Sequence, residues 1–206
     1  ANLTYSKQLF KNIGPAMGTL KKAVFANMWL TEPLVENILS ASRNTSASIR
    51  TTTAVTMAKG SSKDNILPTE ASAIINFRIM PEETIDSVTR YVTNIVDNPK
   101  IKIEKLADFG NNPSAVSNSN SDSFQRLEQT IHRVAQDKDM IVTPYLVMGG
   151  TDAKHYTNLS DSIYRFTFSR FRPESLIQMH GINEQISVAD YMDTIKFYRE
   201  LILIMD

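Results

Sequence analysis

Cysteine is absent from these 206 residues, which excludes disulfides and thiolate metal ligands. Any metal the chain binds therefore takes His, Asp or Glu, and the absence leaves the cellular compartment open. No sign of charge is in excess. Lys plus Arg number 22 and Asp plus Glu number 22, so there is no basic footprint for a nucleic acid or an acidic membrane surface. No apolar run approaches the roughly 18–20 residues that a membrane-spanning helix needs. The first residues show neither the charged start nor the apolar block of a signal peptide, an observation that says little about a longer parent chain.

What is present is the composition of an ordinary soluble protein, long enough to bury a core in one or two domains. The first fifty residues read as helical and irregular. Leu20, Val24, Phe25, Met28 and Leu30 form an apolar cluster, and Pro33 restarts a short helix through Leu39. Residues 50–58, rich in Thr and Val, predict a half-buried strand. Residues 71–80 alternate, with Ala71, Ala73, Ile75, Phe77 and Ile79 on a core face and Ser72, Ile74, Asn76 and Arg78 on the other. Turn residues from Gly60 to Asn65 make the pair an antiparallel hairpin. Thr84 caps a helix with an apolar stripe of Ile85, Val88, Val92 and Ile95, and residues 102–106 predict a returning strand. Helices on one face of an antiparallel sheet follow from that order.

Residues 108–123 are turn-forming and mark a domain boundary. Beyond them the pattern becomes α/β. A helix carries Phe124, Leu127, Ile131 and Val134, strands are expected at 141–147 and 163–168, and Gly149-Gly150-Thr151-Asp152 opens a short helix. A last helix starts at Ser187, with Asp190 as a box-like cap.

Three segments carry candidate chemistry, Asn65 to Pro68, Gly149 to Lys154 and Met179 to Glu184, and Arg78 stands beside them. His180, followed by Gly181 and by Glu184, reads either as a zinc ligand or as a partly exposed loop histidine. His132, on a helix, and His155, in a short helix, read as surface residues. The Gly149-Gly150-Thr151 turn offers backbone N–H groups to a carboxylate or an oxyanion, and reads equally as a tight turn with a capping hydroxyl. Arg78 is either a strand-surface arginine or a planar fork for a substrate carboxylate.

In order and spacing, the stretch from Arg50 to Thr56, then Asn65 to Pro68, Ile75 to Arg78, Gly149 to Ala153 and His180 to Glu184 resembles the M20 metallopeptidases. The likeness is greatest to their carboxypeptidase S and N-acyl-amino-acid hydrolase branch, and it runs from about Phe25 to the C-terminus. It implies an α/β catalytic domain interrupted by a lid that forms the dimer interface. It also implies two zinc ions per site, with a Glu as general base. On that resemblance residues 1–108 are a partial lid, an antiparallel sheet with helices on one face and helices before it. Residues 109–206 are the C-terminal part of the catalytic domain.

The resemblance assigns His180 as a zinc ligand, Arg78 as the grip on the substrate's carboxylate, Asn65 as the lid asparagine, and Gly149, Gly150 and Thr151 as substrate-lining. It implies a peptide or N-acyl amino-acid substrate, a homodimer, and cleavage of the amide beside a free carboxylate. The upstream His-x-Asp and Glu-Glu motifs of the family are missing. The expectation is therefore a fragment with no catalytic residue of its own, no bound zinc and no activity. Lys154 stands where the family often has Arg. The alternative is a non-catalytic dimerisation or binding module.

Overall fold

The structure is a computed structural model that describes residues 1–106, 110–137, 139–147, 149–172, 175 and 178–205, with Asn44 described by its backbone alone. The chain divides into two compact units, Ala1–Val116 and Ser117–Asp206. The boundary expected between 108 and 109 falls on residues outside those described.

The first unit opens on helices α1 (Thr4–Ile13), α2 (Thr19–Ala26), α3 (Met28–Ser40) and the single turn α4 (Arg43–Ser46). Their core is Leu3, Phe10, Val35 and Ile49, with Ile13, Val24, Phe25, Met28 and Leu39 packed against it. Phe10 and Phe25 stack with ring centroids 4.5 Å apart. Gly14 makes that approach possible, because a Cβ there would meet Phe25 Cβ at 3.2 Å. The expected apolar cluster divides. Val24, Phe25 and Met28 face the core, whereas Leu20 and Leu30 are exposed, since the break at Asn27 stops one helical periodicity from running through all five. Pro33 does not restart a helix. It lies inside α3, where its missing N–H removes one hydrogen bond from the ladder without ending it.

The hairpin forms as the alternation predicts. Strands β1 (Thr52–Lys59) and β2 (Ser72–Arg78) pair antiparallel, Thr52 opposite Arg78 and Lys59 opposite Ser72. The register slips between Val55 and Met57, leaving Thr56 as the bulged residue, and its hydroxyl donates to the Ile74 carbonyl at 3.2 Å. The core face expected of β2 is not covered within these residues. Ile75 is 39% exposed and, on β1, Val55 is 66% exposed. Burial resumes beyond the strand at Met80, where the Met80 N–H donates to the Thr51 hydroxyl at 2.9 Å and ties the hairpin's open end to the unit.

Helix α5 (Ile85–Val96) is capped as expected. The Thr84 hydroxyl accepts from the Ser87 N–H and the Ser87 hydroxyl accepts from the Thr84 N–H, a reciprocal box. Residues 102–106 do not form a strand. They are fastened by ion pairs instead, Lys105 to Asp86 and Lys102 to Glu104.

The second unit packs α6 (Asp122–Ala135) against α7 (Val188–Met205) around Leu127, Ile131 and Phe197. Val142, Tyr164 and Phe168 fill the same core, and the Phe168 and Phe197 rings stack at 5.5 Å. Segments 141–147 and 163–168 therefore supply the inward side chains their alternation implies. Neither joins a ladder among the described residues. Ser117 holds Ile163 from both sides, its hydroxyl donating to the Ile163 carbonyl at 3.0 Å and accepting from the Ile163 N–H at 2.8 Å. The whole is α+β with a two-stranded antiparallel sheet. Among the described residues no helix is long and apolar enough to cross a membrane.

Candidate functional site

Arg78 is the last residue of β2 and is exposed. Its backbone is held by pairing with Thr52 and by the Thr51–Met80 bond just beyond it, so it stands at the anchored end of the hairpin. Asn65 is exposed in the connection at the opposite end, between Lys59 and Ser72. The six steps of β2 alone span roughly 20 Å. The hairpin therefore separates these two residues instead of joining them.

In the second unit Gly149 and Gly150 precede a 3₁₀ turn, Asp152–Tyr156, with Thr151 as the residue before it. A Cβ built on either glycine meets nothing within 4 Å, and neither has a positive φ. Neither packing nor backbone conformation within these residues requires glycine there. The Thr151 hydroxyl does not cap the turn. It accepts from Arg165 Nε at 3.1 Å. Lys154 contributes its backbone, donating to the Thr151 carbonyl at 3.2 Å.

His180 is exposed and left-handed, with φ of 60°. That conformation is uncommon outside glycine and costs on the order of 1 kcal/mol or more. It is held by the His180 N–H, which donates to Glu184 Oε2 at 3.2 Å, and Asn183 nearby is left-handed too, at 66°. His132 lies on α6 with Nε2 4.0 Å from Glu128 Oε1, and His155 is exposed in the 3₁₀ turn. Among the described residues no three His, Asp or Glu come together around a point that could hold a metal. The residues present thus do not by themselves fit a catalytic metal.

A polar cluster around Asp190 was only half legible in the sequence, where Asp190 reads as a cap. Its carboxylate is buried, with the residue 3% exposed. It accepts from the Ser187 hydroxyl at 2.6 Å and from Arg170 at 2.6 Å, and Arg172 lies 3.7 Å away. The hydrogen bond from Ser187, then that from Arg170, holds the Asp190 carboxyl below the usual carboxylate range, and the same partnership raises the Arg170 guanidinium. Asp193, one helical turn on, accepts from Arg170 at 3.3 Å. The i, i+3 pair of acids stands in the sequence of α7, but no local pattern joins it to the arginines at 170 and 172.

The family model described as peptidase family M20/M25/M40 matches residues 12–204, nearly the whole chain. The chain belongs to this family. Among its M20 relatives, "Probable carboxypeptidase S-like 2" of Dictyostelium discoideum is 32% identical over 200 residues, covering 97% of this chain and 38% of that protein. "N-fatty-acyl-amino acid synthase/hydrolase PM20D1" is 39% identical over 179 residues in Bos taurus, covering 87% of this chain and 35% of the relative. In Homo sapiens it is 37% identical over the same length. These names place the chain in the carboxypeptidase S-like and N-fatty-acyl-amino acid hydrolase branch of the M20 peptidases. The chain spans between a third and two-fifths of the length of these relatives. No solved structure matches it.

Proposed function

We propose that these residues form part of a hydrolase that cleaves an amide next to a free carboxylate, at the C-terminal residue of a peptide or in an N-acyl amino acid. The observation that carries this reading is the M20 match over residues 12–204, with relatives named for carboxypeptidase and for N-fatty-acyl-amino acid synthase/hydrolase activity. On this reading residues 1–108 belong to the lid and dimerisation domain, and residues 109–206 to the catalytic domain. Arg78 grips the substrate carboxylate with its planar fork. Gly149, Gly150 and Thr151 line the substrate. Glycine's bare Cα at 149 and 150, which the surrounding fold does not demand, supports a close approach of ligand to backbone there.

His180 is one ligand of a two-zinc site. An exposed histidine held in a strained loop conformation supports that role, since such strain concentrates at functional positions. Catalytic zinc takes about three protein ligands, and among the described residues no three His, Asp or Glu gather to hold one. What these residues do is bind and orient the carboxylate end of the substrate and present one imidazole. On their own they turn over nothing. The enzyme is a homodimer in which each site takes Arg78 from its own subunit and Asn65 of the partner subunit, because the hairpin holds the two at opposite ends.

The test is zinc content together with hydrolysis of an N-acyl amino acid, measured on these 206 residues and on the full-length enzyme. The expected result is little zinc and no turnover from the first, and turnover from the second that His180→Ala abolishes. Stoichiometric zinc with turnover from the 206 residues would overturn the assignment of a shared metal site. Undiminished turnover after His180→Ala would remove His180 from it.

A further inference from the structure

Residues 171–186 connect the second unit's core to α7, and His180 stands midway, ten residues from both Arg170 and Asp190. Those two residues meet. Arg170 donates to Asp190 at 2.6 Å and to Asp193 at 3.3 Å, so one guanidinium just before the segment is held by two carboxylates just after it. The Thr194 hydroxyl donates to the Phe168 carbonyl at 2.7 Å and fastens the same two ends a second time. Asp190 is buried, and its two carboxylate oxygens are divided between the ends. Arg170 takes one, and Ser187 donates to the other. The carboxylate is thus shared by groups on both sides of the segment, and moving either side breaks a charge-assisted hydrogen bond.

The path from that junction to His180 is also bonded. Arg172, 3.7 Å from Asp190, has its carbonyl accept from the Ser175 N–H at 3.0 Å. The Ser175 carbonyl accepts from the Met179 N–H at 3.0 Å, and Met179 adjoins His180. From the other side, Glu184 holds the His180 N–H. We propose that Arg170, Asp190 and Ser187 form a clamp that joins the chain before His180 to the chain after it and so sets where His180 stands. Asp190 and Arg170 are positioning residues. They touch no substrate in this scheme, and they act through the chain ends they join. The functional consequence rests on His180 belonging to the active site, whereas the clamp itself does not.

The test is amide hydrogen exchange in the Asp190→Asn, Arg170→Gln and Arg170→Lys variants of the full-length enzyme, with kcat and KM measured on the same samples. Asp190→Asn and Arg170→Gln are expected to speed exchange over residues 178–186 by about tenfold, leaving the amides of α6 and α7 around Leu127, Ile131 and Phe197 unchanged. Arg170→Lys, which keeps the charge, is expected to restore most of the protection. Turnover is expected to fall in kcat with KM kept, since the carboxylate grip at Arg78 is untouched. Because the Arg170 side chain is 62% exposed, its replacement leaves the core intact if Asp190→Asn misfolds. Unchanged exchange over 178–186 in Arg170→Gln would overturn the clamp, as would an equal rise throughout α6 and α7. Faster exchange with unchanged kcat would keep the clamp and show instead that His180 is not in the site.

Discussion

On the proposed reading, Arg78 is the residue on which substrate choice turns. A guanidinium binds a carboxylate through two parallel hydrogen bonds, and truncating one partner of such a charge pair costs about 2–5 kcal/mol. Arg78→Ala in the full-length enzyme should therefore lower kcat/KM for an N-acyl amino acid by roughly 100-fold or more, mostly through KM. The same variant should lose little against a substrate whose carboxylate is replaced by a neutral amide, because the group Arg78 grips is already gone. Equal losses on both substrates would mean that Arg78 acts through the hairpin's structure and not through the carboxylate. Apart from the family resemblance, the arginine's position was visible in the sequence as an alternation position on a strand. Its place at the anchored end of the hairpin came from contacts of Thr52, Thr51 and Met80, which no local pattern announces. Asp190 shows the same limit more sharply. Its capping contact with Ser187 is three residues away and legible, while its contact with Arg170 is twenty residues away and is not.

Elements were legible where their signals are local. Helix α5 begins after Thr84 and α7 after Ser187 because a hydroxyl at each satisfies an N–H that the helix cannot. The expected strands at 102–106, 141–147 and 163–168 were legible only as alternation, which places side chains on two faces without naming a partner strand. The last two keep the side-chain placement and, among the described residues, lack the ladder. Helix α6 gives a measurable case of a local signal. The Ser121 hydroxyl accepts from the Phe124 N–H at 3.2 Å and is bonded to the Tyr164 hydroxyl at 2.6 Å. Tyr164 also donates to the Asn118 carbonyl at 2.7 Å, so it keeps a partner when Ser121 is lost. Ser121→Ala should then cost the cap alone, about 1 kcal/mol, read as a lower urea midpoint with an unchanged m-value. A loss well above about 2 kcal/mol would mean that the bond to Tyr164, and not the cap, is what Ser121 supplies.

At the scale of the molecule, the candidate motifs were readable in order along the sequence, and each unit holds its own share of them. Arg78 and Asn65 lie at opposite ends of one hairpin, and Thr151 is joined to Arg165. Order along a chain records membership of a family, whereas a site needs groups from distant segments or from another subunit. The hairpin makes the second alternative testable. A two-stranded ribbon roughly 20 Å long separates its two ends by more than one small substrate spans. On the proposed reading, the two residues of one chain serve different sites of a dimer. Full-length Asn65→Ala and Arg78→Ala chains, each nearly inactive alone, should on mixing and subunit exchange form heterodimers in which one of the two sites has both residues intact. At equal amounts half the dimers are mixed, so activity should recover to about a quarter of the wild type. Activity that stays at the level of the two parents, with exchange verified by mass, would place both residues in the same subunit's site and require the 60–71 connection to fold back along the hairpin.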